Sequence, residues 1–133
     1  MPLSQDRNTH QQAAELLAIP VASASVIHGG ALVVLNATGF AAAGSAATGL
    51  IYVGRAEQSA DNSAGADGDI TVTVRRKTAF KWKNQAGDLV TQAQLLKPCY
   101  IVDDETVAAT DATGTRSVAG VVVGIDSDGV WVE

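Results

Sequence analysis

Disulfides, a large aromatic core and a membrane span are all beyond this sequence. Cys99 is the only cysteine among 133 residues, so no intrachain disulfide can form and the chain is not a disulfide-built secreted scaffold. Aromatic residues make up 5% of the chain, so the core has to come from the Ala and Val that supply most of the 47% apolar share. Small side chains bury less area each and contribute less than the roughly 1.5–3 kcal/mol of a large one. Such a domain is expected to be modestly stable alone and to gain from burial against copies of itself or a partner. No apolar run approaches the roughly 18 residues of a membrane span, and residues 1–12 are polar. The expectation is a protein made and kept in the cytoplasm, or carried out of it inside something larger, with no membrane partner.

Groups that do chemistry are equally scarce. His10 stands in a polar segment and His28 beside a Gly-Gly turn, neither with a histidine four residues on or a cysteine neighbour, which is too few ligands for zinc. Cys99, between a proline and a strand, reads as a small buried hydrophobe rather than a nucleophile. Asp61, Asp67 and Asp69, with Gly65 and Gly68, superficially suggest a calcium loop. The twelfth position from Asp61 is Val72, where an EF-hand needs a bidentate Glu, and no helices flank the segment, so it reads as a solvated loop. Asp103, Asp104 and Glu105 are adjacent on a turn and point different ways, which builds no acid–base pair. Phosphate loops, dinucleotide fingerprints and nucleophile elbows are missing. The residues assemble no active site and imply no metal and no cofactor; an enzyme is hard to build from them.

Charge is low and unevenly placed. Charged residues are 17% of the chain, against roughly 25% in typical soluble domains, and the net charge is −5. Residues 1–102 balance to +1 and residues 103–133 to −6. That is not the profile of a nucleic-acid binder. An acidic end and a basic stretch on one chain suit head-to-tail contacts between copies, although a plain solvated surface gives the same numbers.

The positive signal is an all-β pattern. Residues 1–17 are polar and lack alternation; they form an arm, either extended or opening a short helix capped by Thr9. From residue 18 onward, short apolar runs alternate with Gly, Asn and Asp turns. Strands are expected at 19–24, 31–35 and, weakly, 40–43. The run 50–56 is apolar on both faces and therefore internal. Over 70–83 the even positions Ile70, Val72, Val74, Phe80 and Trp82 are apolar, while Arg75, Lys77, Lys81 and Lys83 fall on the other face. Arg76 and Thr78 interrupt the apolar row, so a bulge or bend is expected there. Thr91 caps a helical turn stopped by Pro98, and residues 100–109 form a hairpin around the acidic turn. The Val-rich strand 117–125 returns through Asp128-Gly129 into 130–133. About eight short strands with one helical turn make a small compact barrel or sandwich, a single domain over 18–133. Trp82 and Trp131 are both expected in its core. The aromatics and cations of 70–83 lie on opposite faces, whereas a nucleic-acid stacking platform needs both on one. The cationic face is better suited to an acidic protein surface, such as the 103–133 region of a neighbour.

Several segments together resemble the capsid decoration, or cement, proteins of tailed double-stranded DNA phages, particularly those of Mu-like phages and prophages. These are DRNT (6–9), IPVAS (19–23), HGGALVVLNATGF (28–40), GRAEQSADNSAGADGD (54–69), CYIVDDETVAATDATGTRSVAGVVVGID (99–126) and DGVWVE (128–133). The likeness runs nearly end to end and is one of turn and strand grammar, with a longer polar arm than simpler members. It implies a β-barrel-like domain on the outer surface of an expanded phage head, made in the bacterial host and bound to the major capsid protein. It also implies self-association, commonly as a trimer, with a dimer left open. Asp6, Arg7, Asn8 and Thr9 in the arm, with Arg75, Lys77, Lys81 and Lys83 on the basic strand face, are then the candidate contacts to the capsid or to other copies. A carbohydrate- or receptor-binding β module is the competing expectation, and it requires an exposed aromatic platform.

Overall fold

A computed structural model describes residues 2–133; Met1, the first residue of the expected arm, lies outside the described residues. In chain order the first strands are β1 (Leu16–Pro20), β2 (Val26–Ile27), β3 (Leu32–Leu35), β4 (Ala41–Ala43), β5 (Ile51–Ala56) and β6 (Ala60–Asp61). They are followed by β7 (Thr71–Arg75), β8 (Phe80–Asn84), β9 (Pro98–Ile101), β10 (Thr106–Ala108), β11 (Val118–Asp126) and β12 (Gly129–Val132), with a single 3-10 turn at Gln92–Gln94. The all-β class is as expected. The strands outnumber the eight or so anticipated because β2 and β6, two residues each, are too short to show any periodicity and because the row 70–83 divides into two strands, β7 and β8.

The strands form two main layers. One is a five-stranded antiparallel sheet in the order β1-β7-β5-β3-β4. The other is a closed barrel in the order β10-β8-β12-β11-β9, in which only the β8–β10 contact is parallel. Closure leaves the barrel no free edge. The small β2–β6 pair adds Ile27 and Ala60 to the core of the sheet.

β3 sits between the two cores. Leu32 and Val34 point into the barrel-side cluster with Trp82, Ile101, Val107, Val122, Val130 and Val132. Val33 points the other way, into a cluster with Ile19, Ile27, Val72 and Val74. β5 divides likewise, Tyr52 packing against the first cluster and Val53 against the second. Its two apolar faces thus make it an interior strand, between β3 and β7. Valine makes up half of the barrel-side cluster and shares the other equally with alanine, and β-branched side chains suit this pleated surface.

The alternating row 70–83 is not one bent strand. β7 belongs to the sheet and β8 to the barrel, and the chain turns a corner between them at residues 76–79, where Lys77 takes the left-handed conformation (φ 61°). A period of two reports which side chains share a face, but says nothing about which sheet supplies the neighbours. The arm is extended rather than helical: residues 2–13 are exposed with no helix or strand, and β1 begins at Leu16, two residues inside the expected arm. Thr91 does cap the turn before Pro98, with Gln94 Oε1 accepting from the Thr91 N–H and hydroxyl at 2.7 Å each.

Loop 61–69 is organised by a residue that composition does not single out. Asn62 is buried, and its Nδ2 donates to the carbonyls of Val21 (3.2 Å), Ala22 (3.0 Å) and Ala66 (2.9 Å). The three aspartates are occupied with backbone N–H groups: Asp61 accepts from Ser63 N and Asp69 from Ala66 N within the loop, while Asp67 accepts from Ser23 N and ties the loop to the segment after β1. Among the described residues, every buried side-chain nitrogen or oxygen has a partner.

Candidate docking surface

In the arm, Asp6, Arg7, Asn8 and Thr9 are all exposed, and one local bond, Thr9 N to Arg7 O at 3.1 Å, shapes the chain there. The four cations of the former basic face separate. Arg75 lies on β7, Lys77 at the exposed corner, and Lys81 and Lys83 on β8 in the barrel. Arg75, Lys81 and Lys83 have anionic partners on the same chain. Lys81 Nζ is 2.8 Å from Asp128 Oδ1 and 3.7 Å from Asp126 Oδ2, and Lys83 pairs with Glu105. The acidic 103–133 region therefore meets the basic strand within one molecule, because β12 and β10 flank β8 in the barrel. These pairs raise both lysine pKa values, chiefly through the hydrogen bonds to Asp128 and Glu105. Hydrogen bonding shared with Asp128 is the main influence holding the Asp126 carboxyl down at about 2. The pairs are solvent-exposed and add little to stability.

The tryptophans part company. Trp82 is buried, 6.2 Å from Phe80 between centroids, and its Nε1–H donates to Tyr52 Oη at 3.2 Å, joining barrel to sheet. Burial pushes the Tyr52 hydroxyl up to about 12, and also the Cys99 thiol up to about 12, a poor setting for a nucleophile. Trp131, expected in the core, stands on the outer face at 39% exposure. It pairs across the strands with Lys81, whose Nζ lies 5.7 Å from the ring centroid, and its Nε1–H donates to Asp126 Oδ2 at 3.2 Å. An aromatic and a cation thus do share the outer face, through a strand that local alternation could not place.

Beside Trp131 runs an aliphatic surface absent from the expectations. In β11, Val122 is buried while Val121 and Val123 are exposed, with a register shift between Val122 and Gly124. Residues 95–97 lie alongside, Leu96 N donating to Val122 O at 2.8 Å and Val122 N to Lys97 O at 3.0 Å. This brings exposed Leu95 and Leu96 next to the valines, with exposed Val118 further along the strand. Leu96 is 72% exposed and takes φ 63°. That conformation costs a residue with a Cβ roughly 1–2 kcal/mol, and burial within this chain does not offset it. The run of three valines concealed this surface, since an apolar run does not reveal whether its outward members meet solvent.

A groove of about 390 Å³ opens where sheet and barrel meet, lined in part by Arg55, Arg75, Phe80, Lys81 and Trp131. Arg55, in β5, was not among the expected contacts, although it is the one charge in an otherwise apolar strand. Among the described residues, no group of three or more His, Cys, Asp or Glu is arranged to hold a metal ion, and no helix is long and apolar enough to cross a membrane. A scan of protein-family models, a search of curated proteins and a search of solved structures each found no match.

Proposed function

We propose that this protein is a non-catalytic structural module that docks on the outer surface of an expanded double-stranded DNA phage head and reinforces contacts between major capsid protein subunits. The observation that carries this is the exposed aliphatic surface of Leu95, Leu96, Val121 and Val123, with Leu96 displayed from a strained backbone. Contiguous apolar area of this kind marks surfaces that are covered by other protein. The extended arm supplies a second reach, suited to lying along a subunit or adding a strand to its sheet edge. Packed DNA pushes the shell outward, and a module that binds only the assembled lattice stabilises it by mass action. Self-association, as a trimer or alternatively a dimer, belongs to the same proposal.

Purified protein should bind expanded but not immature shells and raise their resistance to heat. Leu96→Asp and Val123→Asp should abolish binding while leaving the melting temperature of the free protein nearly unchanged, and removal of residues 2–15 should weaken it. Expanded shells that take up no protein, or that gain no heat resistance from it, would overturn the reading. One observation favours a second reading, a carbohydrate- or receptor-binding module displayed on a surface: Trp131 is exposed at the groove. A glycan array without hits retires that alternative.

A further inference from the structure

Arg55 and Arg75 stand directly opposite each other across β5 and β7. Like charges in that position repel and weaken a strand pair. One carboxylate answers both: Glu57 Oε1 is 2.7 Å from Arg55 Nη2 and 3.1 Å from Arg75 Nε. The Arg55 hydrogen bond is the main reason the Glu57 pKa is lowered. Each guanidinium has a fork of N–H donors, and this single oxygen occupies one donor on each. Two cations therefore share one anion, and the rest of both forks remains free at a groove. Lys81, on the same groove, differs in having two carboxylates, Asp126 and Asp128.

The surroundings hold the pair in place. Arg55 Cζ lies 4.8 Å from the Phe80 ring centroid, a cation–π contact that limits the motion of the guanidinium. Phe80 and Trp131 supply apolar walls. Because sheet and barrel each contribute lining, the site is anchored on strands of both layers. With Glu57, Asp126 and Asp128 already paired to the groove cations, the spare arginine donors suit one added anionic group and not the closely spaced charges of a polyphosphate backbone. Trp131 has its N–H engaged by Asp126, so the indole has no free donor to offer a sugar hydroxyl.

We propose that this groove receives a carboxylate side chain from an acidic, extended peptide segment of the protein on which the domain docks. The carboxylate enters the Arg55–Arg75 fork, and neighbouring apolar atoms lie against Phe80 and Trp131. Bidentate geometry selects a planar carboxylate at this position. Glu57 acts as a built-in competitor that keeps the two arginines together while the groove is empty. The proposal rests on the reading of the protein as a docking module.

The test is a titration of the isotopically labelled full chain with a synthetic peptide of alternating Glu and Val, followed by NMR. The Nε–H signals of Arg55 and Arg75 and the indole N–H of Trp131 should shift saturably, and added salt should weaken binding. Arg75→Gln should lower affinity about tenfold or more, with Arg75→Lys in between. Glu57→Gln, which removes the competing negative charge and leaves only a neutral, weaker acceptor, should tighten binding, and this gain does not depend on the Arg75 variants folding. No shift at the three reporters, a Glu57→Gln variant that binds more weakly, or binding of an oligogalacturonate in place of the peptide would each overturn the proposal. No shells enter this titration, so its failure removes the groove without touching the docking reading. Failure of shell binding with peptide binding intact does the reverse.

Discussion

Replacing Asn62 by alanine should destabilise the domain by about 2–3 kcal/mol, and the nearly isosteric aspartate should be worse. The magnitude follows from what each carbonyl keeps. Without the Asn62 amide, Val21 O retains a bond from Gly68 N at 2.9 Å and Ala66 O one from Asp69 N at 3.2 Å. Ala22 O loses its donor, Asn62 Nδ2 at 3.0 Å. One buried carbonyl left unpaired costs about 1–3 kcal/mol, and the two weakened partners add a fraction of the roughly 1 kcal/mol net value of an ordinary bond. Aspartate preserves the shape but has no N–H, so at neutral pH it sets an anionic oxygen among three carbonyl oxygens. Protonation at acid pH restores one donor, and part of the loss should then be recovered. Urea unfolding followed by tryptophan fluorescence, with an unchanged slope against denaturant, measures both effects. An aspartate variant as stable as the parent at neutral pH, or an alanine variant within about 0.5 kcal/mol of it, would refute this account of the loop.

Trp82→Ala should cost about 3–5 kcal/mol by emptying the barrel side of the core, whereas Trp131→Ala should hardly move the thermal midpoint; equal effects would contradict the burial described. Gly54→Ala should cost more than about 1 kcal/mol in urea titrations, because a Cβ there runs into the Arg75 carbonyl. Stability should also decline in alkali. The Cys99 and Tyr52 values are raised in the folded state, so the stability they lend is complete below about 9 and 10 and is lost as pH rises toward about 12. Urea midpoints measured across that window should fall, and less steeply for Cys99→Ala; a flat profile would show that neither group is shielded from water.

Most of the fold was legible because strand periodicity and turn residues are local. The hairpin of β9 and β10, the return from β11 to β12, the capped turn at Thr91 and the interior position of β5 all follow from neighbours in sequence. The partition of the row 70–83 between sheet and barrel does not, since the corner at Lys77 is defined by distant pairing partners. The same limit hid the site. Lys81 finds its anions at the end of β11 and in the turn that follows it, Arg55 finds Arg75 across a strand pair, and Leu96 is exposed by a backbone conformation that its residue type does not favour. Asn62 looked like one more polar loop residue because burial of a single amide leaves no trace in composition.

The sharing of β3 between two cores means that the molecule has no seam. Loosening the sheet withdraws Val33 from one side and, through the same backbone, unsettles Leu32 and Val34 on the other. Amide exchange in the barrel and in the sheet should therefore report one common opening event, and heating should give one calorimetric transition. Force applied to either layer is carried by both.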